Sequence, residues 1–214
     1  MLDKYADRQE AGKVLAALLK PYSNDKNALV LALPRGGVPV AYEIATTLHL
    51  PLDVFIVRKL GVPGHSELAM GAIAMGGVTV FNDDILNDLQ ISQAEINRVI
   101  AAEEDELLRR QTAYRNDKPF PVVRDKTIIL VDDGIATGAT IRSAILALNK
   151  MEPKRLIVAV PVADISICEV IQSLVDEFYC PLQPTHLYAV GAWYVDFSQT
   201  EDAEVFSLLK KAEI

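Results

Sequence analysis

Two adjacent carboxylates, Asp132 and Asp133, end a run of branched apolar residues and lead directly into a turn of small residues, in the segment TIILVDDGIATGAT at 127–140. Such a run reads as a buried strand that delivers two acids to a loop opening a helix. In an open parallel sheet, ligands bind just beyond the carboxyl ends of the strands, which is where these acids fall. Gly134, Ala136, Gly138 and Ala139 leave the loop backbone uncovered. A helix starting near Ala139 offers unpaired N–H groups and a partial positive charge, and together these make a phosphate cradle. Thr137 and Thr140 add hydroxyl donors, while the paired acids suit the hydroxyls of a sugar or a magnesium ion. A nucleotide triphosphatase or dinucleotide site would need GxxxxGK[ST] or GxGxxG, and the sequence has neither. An ordinary strand-turn-helix with a threonine cap would not need the paired acids.

Three other segments carry chemistry. Arg35, Gly36 and Gly37 follow an apolar run and precede a helical pattern, which makes a second anion site at a helix N-terminus. Arg58 and Lys59 end another apolar run and lead into LGVPGHSELAMGAIAMGGVTVF, read as a flexible loop with Gly61, Gly64, Gly71, Gly76 and Gly77 as hinges. Trp193, Tyr194 and Asp196, with Phe197, put three aromatics and a carboxylate in one short stretch able to stack on and hydrogen-bond a flat heterocycle. His65, Ser66 and Glu67 have the residue types of a hydrolytic triad, but three consecutive residues cannot converge on one point and no GxSxG elbow is present. His49, His65 and His186 are too scattered to suggest a metal site, and Cys168 and Cys180 fit neither a disulfide framework nor a zinc site.

The elements that must position these residues follow from the hydrophobic pattern. Short, continuous, branched runs at 28–33, 52–57, 127–131, 156–160 and 186–190 read as strands buried on both faces, and helical patterns occupy about 5–20, 38–49, 139–151, 165–176 and 201–212. The alternation predicts an α/β fold with a twisted, mainly parallel sheet of about five strands and helices on both faces. Between 82 and 117 the pattern is helical instead, with i, i+4 pairs Asp105–Arg109 and Glu106–Arg110 on a solvated face. With no linker or internal repeat, residues 1–214 read as one domain with a helical insertion.

Half of the 214 residues are apolar and 23% charged, enough to bury a core. Twenty-one basic against 29 acidic residues give a net charge of −8, which disfavours broad nucleic-acid binding but allows a local electropositive pocket for a small phosphorylated ligand. The longest apolar runs lie near LIVAVPVA, far short of the ~18 residues of a membrane span. The reading is a reduced, cytosolic protein without membrane association.

The segment VDDGIATGAT closely resembles the phosphoribosyl pyrophosphate (PRPP) motif of the type I phosphoribosyltransferases. PRGGVPVAYEIA, VRKLGVPG and AVGAWYVDFSQ extend the resemblance over nearly all of the chain, to phosphoribosyltransferases of unassigned acceptor. By resemblance, Asp132 and Asp133 approach the ribose hydroxyls and hold Mg²⁺, and the loop from Ala136 to Thr140 wraps the 5′-phosphate. Arg35 with Gly36 and Gly37 resembles the pyrophosphate loop, Arg58 and Lys59 precede a mobile catalytic loop that closes over PRPP, and the VG-aromatic-Asp segment takes the acceptor. Ala136 stands where hypoxanthine-guanine enzymes carry an Asp that contacts the purine, so the motif is more similar to the adenine type. The implied activity is Mg²⁺-dependent transfer of phosphoribosyl from PRPP to a nitrogen of a small heterocyclic acceptor, with Arg35, Lys59, Asp132 and Asp133 as catalytic residues. Two alternatives stand beside it: a non-catalytic PRPP- or nucleotide-binding regulator, and hydrolysis or salvage of another phosphorylated sugar. Homodimerisation and a small hood of terminal segments are further expectations of the family.

Overall fold

A computed structural model describes residues 4–115 and 118–212; the last two residues of the expected 82–117 helical segment, and the side chains of Ser66 and Glu67, lie outside what is described. Helix α1 (Arg8–Leu18), capped by the Asp7 carboxylate on the Glu10 N–H, leads to strand β1 (Ala28–Ala32), helix α2 (Gly37–Leu48) and strand β2 (Leu52–Val54). Strands β3 (Val57–Val62), β4 (His65–Ala74) and β5 (Val78–Phe81) come next, then helices α3 (Asp83–Leu89) and α4 (Gln93–Arg115). The rest alternates: β6 (Thr127–Val131), α5 (Ala139–Lys150), β7 (Arg155–Ala159), α6 (Ile165–Gln172), β8 (Glu177–Tyr179) and α7 (Asp202–Lys211).

Five strands form a parallel sheet in the order β2-β1-β6-β7-β8, with β1 and β6 in register from Ala28 against Thr127 to Ala32 against Val131. Every position of β1 and β6 is buried, as a strand covered on both faces requires. Side chains divide by the two-residue period of the strand. Val30, Ala32, Ile129, Val131, Ile157 and Ala159 enter one core with α1, α2 and α7, whereas Leu29, Leu31, Ile128, Leu130, Leu156 and Val158 enter the other with α5 and α6. The α/β architecture expected from the alternation is the one observed.

Three local expectations fail. Residues 186–190 do not form the fifth strand: Tyr188 has φ 57° and is 93% exposed, the Ala189 N–H turns back onto the Leu187 carbonyl, and a 3₁₀ turn follows at Val190–Trp193. The sheet edge is taken by β8, three residues long, whose charged surroundings hid it. The run at 52–57 leaves the parallel sheet after Val54, and β3 starts a second sheet at Val57. The glycine-rich stretch read as a loop is that second sheet, an antiparallel meander in the order β3-β4-β5. Leu60, Val62, Met70 and Ile73 enter the core shared with α1 and α2 and Ala74 enters the other, and Gly71 lies inside the ladder because a Cβ there would stand 2.3 Å from the Val80 carbonyl oxygen.

Residues 5–6 pack against residues 193–196. The Tyr5 N–H donates to the Trp193 carbonyl, Val195 N–H to the Tyr5 carbonyl and Asp196 N–H to the Ala6 carbonyl. The Tyr5 hydroxyl donates to the Pro161 carbonyl beyond β7 and the Tyr194 hydroxyl to the Asp133 carbonyl beyond β6, so this small layer lies at the carboxyl ends of those two strands.

Candidate active site

Strands β1 and β6 are neighbours and point the same way, so the loops that follow them emerge side by side. The contact between the two loops is close enough to dictate residue type. A Cβ on Gly36 would lie 2.0 Å from Asp133 Oδ2, and one on Gly37 would lie 2.8 Å from the Val131 carbonyl oxygen. The loop 34–37, whose Pro34–Arg35 peptide is cis, therefore seats its backbone directly on the paired acids. Arg35 reaches outward from this loop, 37% exposed, with long ion pairs of 3.8 Å to Glu201 and Asp202 at the start of α7.

The loop after β6 is bent as a cradle. Gly138 precedes α5 with φ 77°, a left-handed conformation natural to glycine, and turns the chain into the helix. Asp132, Gly134, Ile135, Ala136, Thr137, Gly138, Ala139, Thr140 and Ile141 line a cavity of about 190 Å³ closed on one side by Val190. A neighbouring cavity of about 450 Å³ shares Ala139 and Thr140 and is walled by Arg58, Lys59 and Gly61 of β3 and by Val99 and Glu103 of α4. Arg58 and Glu103 form an ion pair of 2.7 Å, so part of the cation pair is already answered by the helical insertion.

The two acids differ in surroundings. Asp133 Oδ2 accepts from Arg8 Nε at 2.8 Å, and its carbonyl accepts from the Tyr194 hydroxyl at 2.6 Å. Asp132 Oδ1 accepts from the Asp133 N–H and lines the cavity of the loop after β6. Burial, and then the charge of Asp133, push the Asp132 carboxyl well above the usual range; burial also raises Asp133, against the pull of Arg8. A site that disfavours its own negative charge in this way favours an incoming cation. Among the described residues no group of three or more His, Cys, Asp or Glu side chains converges, so a metal here would complete its shell with ligand or water oxygens. Magnesium is commonly held that way, by one or two carboxylates plus phosphate oxygens, and the donor set fits it.

A family model described as the phosphoribosyl transferase domain matches residues 1–181. The chain belongs to this family. A phosphoribosyl transferase so named in two strains of Mycobacterium tuberculosis is 40% identical over 208 residues, 97% of this chain and 47% of the relative. The chain thus spans about half the length of those curated relatives. The Bifunctional protein PyrR of Clostridium acetobutylicum is 30% identical over 135 residues, 60% of this chain and 68% of that protein. The crystal structure of TT1426 from Thermus thermophilus is 38% identical and superposes with a TM-score of 0.89, covering 97% of this chain and 98% of that one. The parallel five-stranded sheet with its flanking helices is accordingly the type I phosphoribosyltransferase fold.

Of the residues expected at the site, Gly36, Gly37, Asp132 and Asp133 come together and Gly134 to Thr140 form one continuous wall beside them, whereas the Arg35 side chain is directed to Glu201 and Asp202. Lys59 reaches the second cavity with Thr140 but sits inside β3 rather than at the end of a parallel strand. In the acceptor segment, Trp193 is half-buried and gives its indole N–H to the Leu187 carbonyl. Asp196 is exposed, and the Ser198 N–H holds its carboxyl below the usual range. Tyr194 is buried, its ring 5.5 Å from Tyr5 and 5.0 Å from Phe197, and its hydroxyl donates to the Asp133 carbonyl. Two arginines escaped the sequence reading. Arg8 lies 125 positions from the acid it pairs with, and no local pattern links them. Arg142, one turn into α5, folds its guanidinium back to the carbonyls of Gly138 and Thr137 at 3.3 and 3.4 Å; its position next to the cradle was the available signal.

Proposed function

We propose that this chain catalyses Mg²⁺-dependent transfer of the phosphoribosyl group of PRPP to a nitrogen of a small heterocycle, with release of pyrophosphate. The observation that carries the reading is the contact of two anion-binding loops at one carboxylate pair: Gly36 and Gly37 on one side, and the Gly134 to Thr140 cradle on the other. PRPP presents a 5′-phosphate, ribose hydroxyls and a pyrophosphate in that order, and the two loops with the acids between them match that sequence of groups. In this reading the N–H groups at the start of α5, with Thr137 and Thr140, bind the 5′-phosphate. Asp132 and Asp133 face the ribose and would hold Mg²⁺, which when bound neutralises charge on the pyrophosphate. Arg58 and Lys59, which wall the neighbouring cavity, and Arg35, once turned from Glu201 and Asp202, would act on the leaving group, and pulling electron density toward it weakens the bond to C1′. Trp193 and Asp196 flank the acceptor, with Tyr194 supporting them from beneath.

The C1′–O bond breaks as the acceptor nitrogen bonds to C1′; the electron pair leaves with pyrophosphate and the acceptor gives up its proton. The protein's part is positioning both ends and offering fixed charge where charge develops. We take residues 1–214 to act as one such domain, with α3 and α4 as its insertion, in the cytoplasm and as a homodimer. Release of pyrophosphate from PRPP and Mg²⁺, assayed across nucleobases and small amines, tests the reading. Acceptor-dependent release supports it; binding of PRPP with no release for any acceptor would replace it with a regulator that uses the same site.

A further inference from the structure

The two acids of the VDD segment are adjacent in sequence but hold different places. Asp133 is tied to three other segments: Arg8 Nε lies at 2.8 Å, the backbone of Gly36 is so close that no Cβ fits, and the Tyr194 hydroxyl donates to its carbonyl. Its side chain is 15% exposed and that of Arg8 is 11% exposed. Asp132 is equally half-buried, but its hydrogen bond is local, from the Asp133 N–H, and it lines the cavity of the loop after β6. Arg8 also reaches further than the one acid. Its Nη1 donates to the Ser198 carbonyl at 2.7 Å, and its guanidinium lies 3.9 Å from the centre of the Phe197 ring. Phe197 in turn presses on Gly191, where a Cβ would stand 2.7 Å from the ring. A single planar cation therefore ties the start of α1, the end of β6 and the chain at 197–198 into one unit, using the several fixed donors that distinguish arginine from lysine.

We propose that Arg8 is a positioning residue specific to one of the two carboxylates: it fixes Asp133, on which the Gly36 backbone and the Tyr194 hydroxyl are seated, in the orientation that ribose and metal meet, whereas Asp132 takes its orientation from the loop after β6 alone. The proposal rests on the transferase reading and goes beyond it, since that reading alone treats the two acids alike. It also explains why the loop at 34–37 needs its glycine. Asp133 cannot swing away to make room, because Arg8 holds it from the other side.

The test is a double-mutant cycle on the whole chain, read as kcat and KM for PRPP in the pyrophosphate-release assay and, separately, as melting temperature. Residues that share one interaction give effects that do not add, whereas independent residues add. Arg8→Gln is expected to lower kcat/KM by ~10-fold or more, and Asp133→Asn in that background to add less than ~3-fold, as for coupled neighbours. Asp132→Asn keeps most of its full loss in both backgrounds. Arg8→Lys, which retains the charge but not the reach to Ser198 or the stacking on Phe197, falls between wild type and Arg8→Gln. If Arg8→Gln does not fold, the Arg8→Lys series carries the same cycle.

Effects of Arg8→Gln and Asp133→Asn that multiply in full would overturn the proposal. So would a lowered melting temperature with kcat and KM unchanged, since that is the signature of a purely structural pair. If the wild-type chain neither binds nor consumes PRPP, the transferase reading falls. The melting temperatures then decide the division between the acids: coupling of Arg8 to Asp133 and not to Asp132 sustains it, and equal or absent coupling ends it.

Discussion

Replacing Gly36 by alanine gives a stability change whose sign depends on one contact. Gly36 sits at φ −59° and ψ −32°, a conformation alanine adopts without strain. On backbone grounds alone the substitution should stabilise the fold by about 0.4–1 kcal/mol, by restricting the unfolded chain. The structure sets against this a Cβ that would stand 2.0 Å from Asp133 Oδ2 and 2.6 Å from its Cγ. No real Cβ tolerates such a contact, so the carboxylate must move, and moving it breaks the 2.8 Å bond from Arg8, between side chains 11% and 15% exposed. A hydrogen bond to a charged group contributes about 1.5–3 kcal/mol, so the net effect is a loss of about 0.5–2.6 kcal/mol. At ~2–4 °C per kcal/mol for a chain of this size, the melting temperature should fall by roughly 1–10 °C. Thermal unfolding followed by circular dichroism measures this, and the same variant should turn over PRPP more slowly because the pyrophosphate loop is lifted off the acids. A melting temperature equal to or above wild type would show that Asp133 is free to move and that the two loops are not locked together.

Asp132→Asn combined with Asp133→Asn should reduce transfer by roughly 100-fold or more, the scale of losing a preorganised electrostatic group, as measured by steady-state pyrophosphate release. Tyr194→Phe leaves the buried Asp133 carbonyl without its hydroxyl donor and should cost about 1–2 kcal/mol, or roughly 2–8 °C of melting temperature, with little change in KM for the acceptor. Alkaline titration provides a third check. Burial first, then hydrogen bonds to Asp202 and Glu177, push Tyr114 and Tyr179 up to about 12, and burial also raises Tyr5, Tyr22 and Tyr194. For groups whose folded pKa is raised, the stabilisation is fully present below the unfolded value near 10 and is lost as pH climbs toward 12. The share of the tyrosinate absorbance that belongs to these five of the seven tyrosines should therefore appear together with loss of the far-ultraviolet signal above pH 10; ionisation of all five in a still-folded chain would contradict this.

The parts legible in the sequence were those built from local pattern. Branched runs marked β1, β6 and β7, and the VDDGIATGAT segment announced its own strand-loop-helix because each residue serves the geometry next to it. The glycines at 61–77 misled for a physical reason. Gly71 is needed where two backbones approach and Gly76 and Gly77 where the chain turns left-handed, so the same residue type that signals a mobile loop here builds an antiparallel sheet. The run HLYAV has strand composition, yet Tyr188 in a left-handed conformation ends any ladder, and the short β8 with Glu177 bonded to Tyr22 and Tyr179 takes the edge instead. Arg8 was invisible because its partners, Asp133, Ser198 and Phe197, are brought to it by tertiary folding alone.

Binding of PRPP for transfer by the loops around Asp132 and Asp133 is directly measurable. Titration calorimetry of the whole chain with PRPP and Mg²⁺, followed in the same sample by pyrophosphate release across a panel of nucleobases and small amines, tests it most directly. Micromolar binding, and release with at least one acceptor, are expected. Absence of PRPP binding with Mg²⁺ present would contradict this.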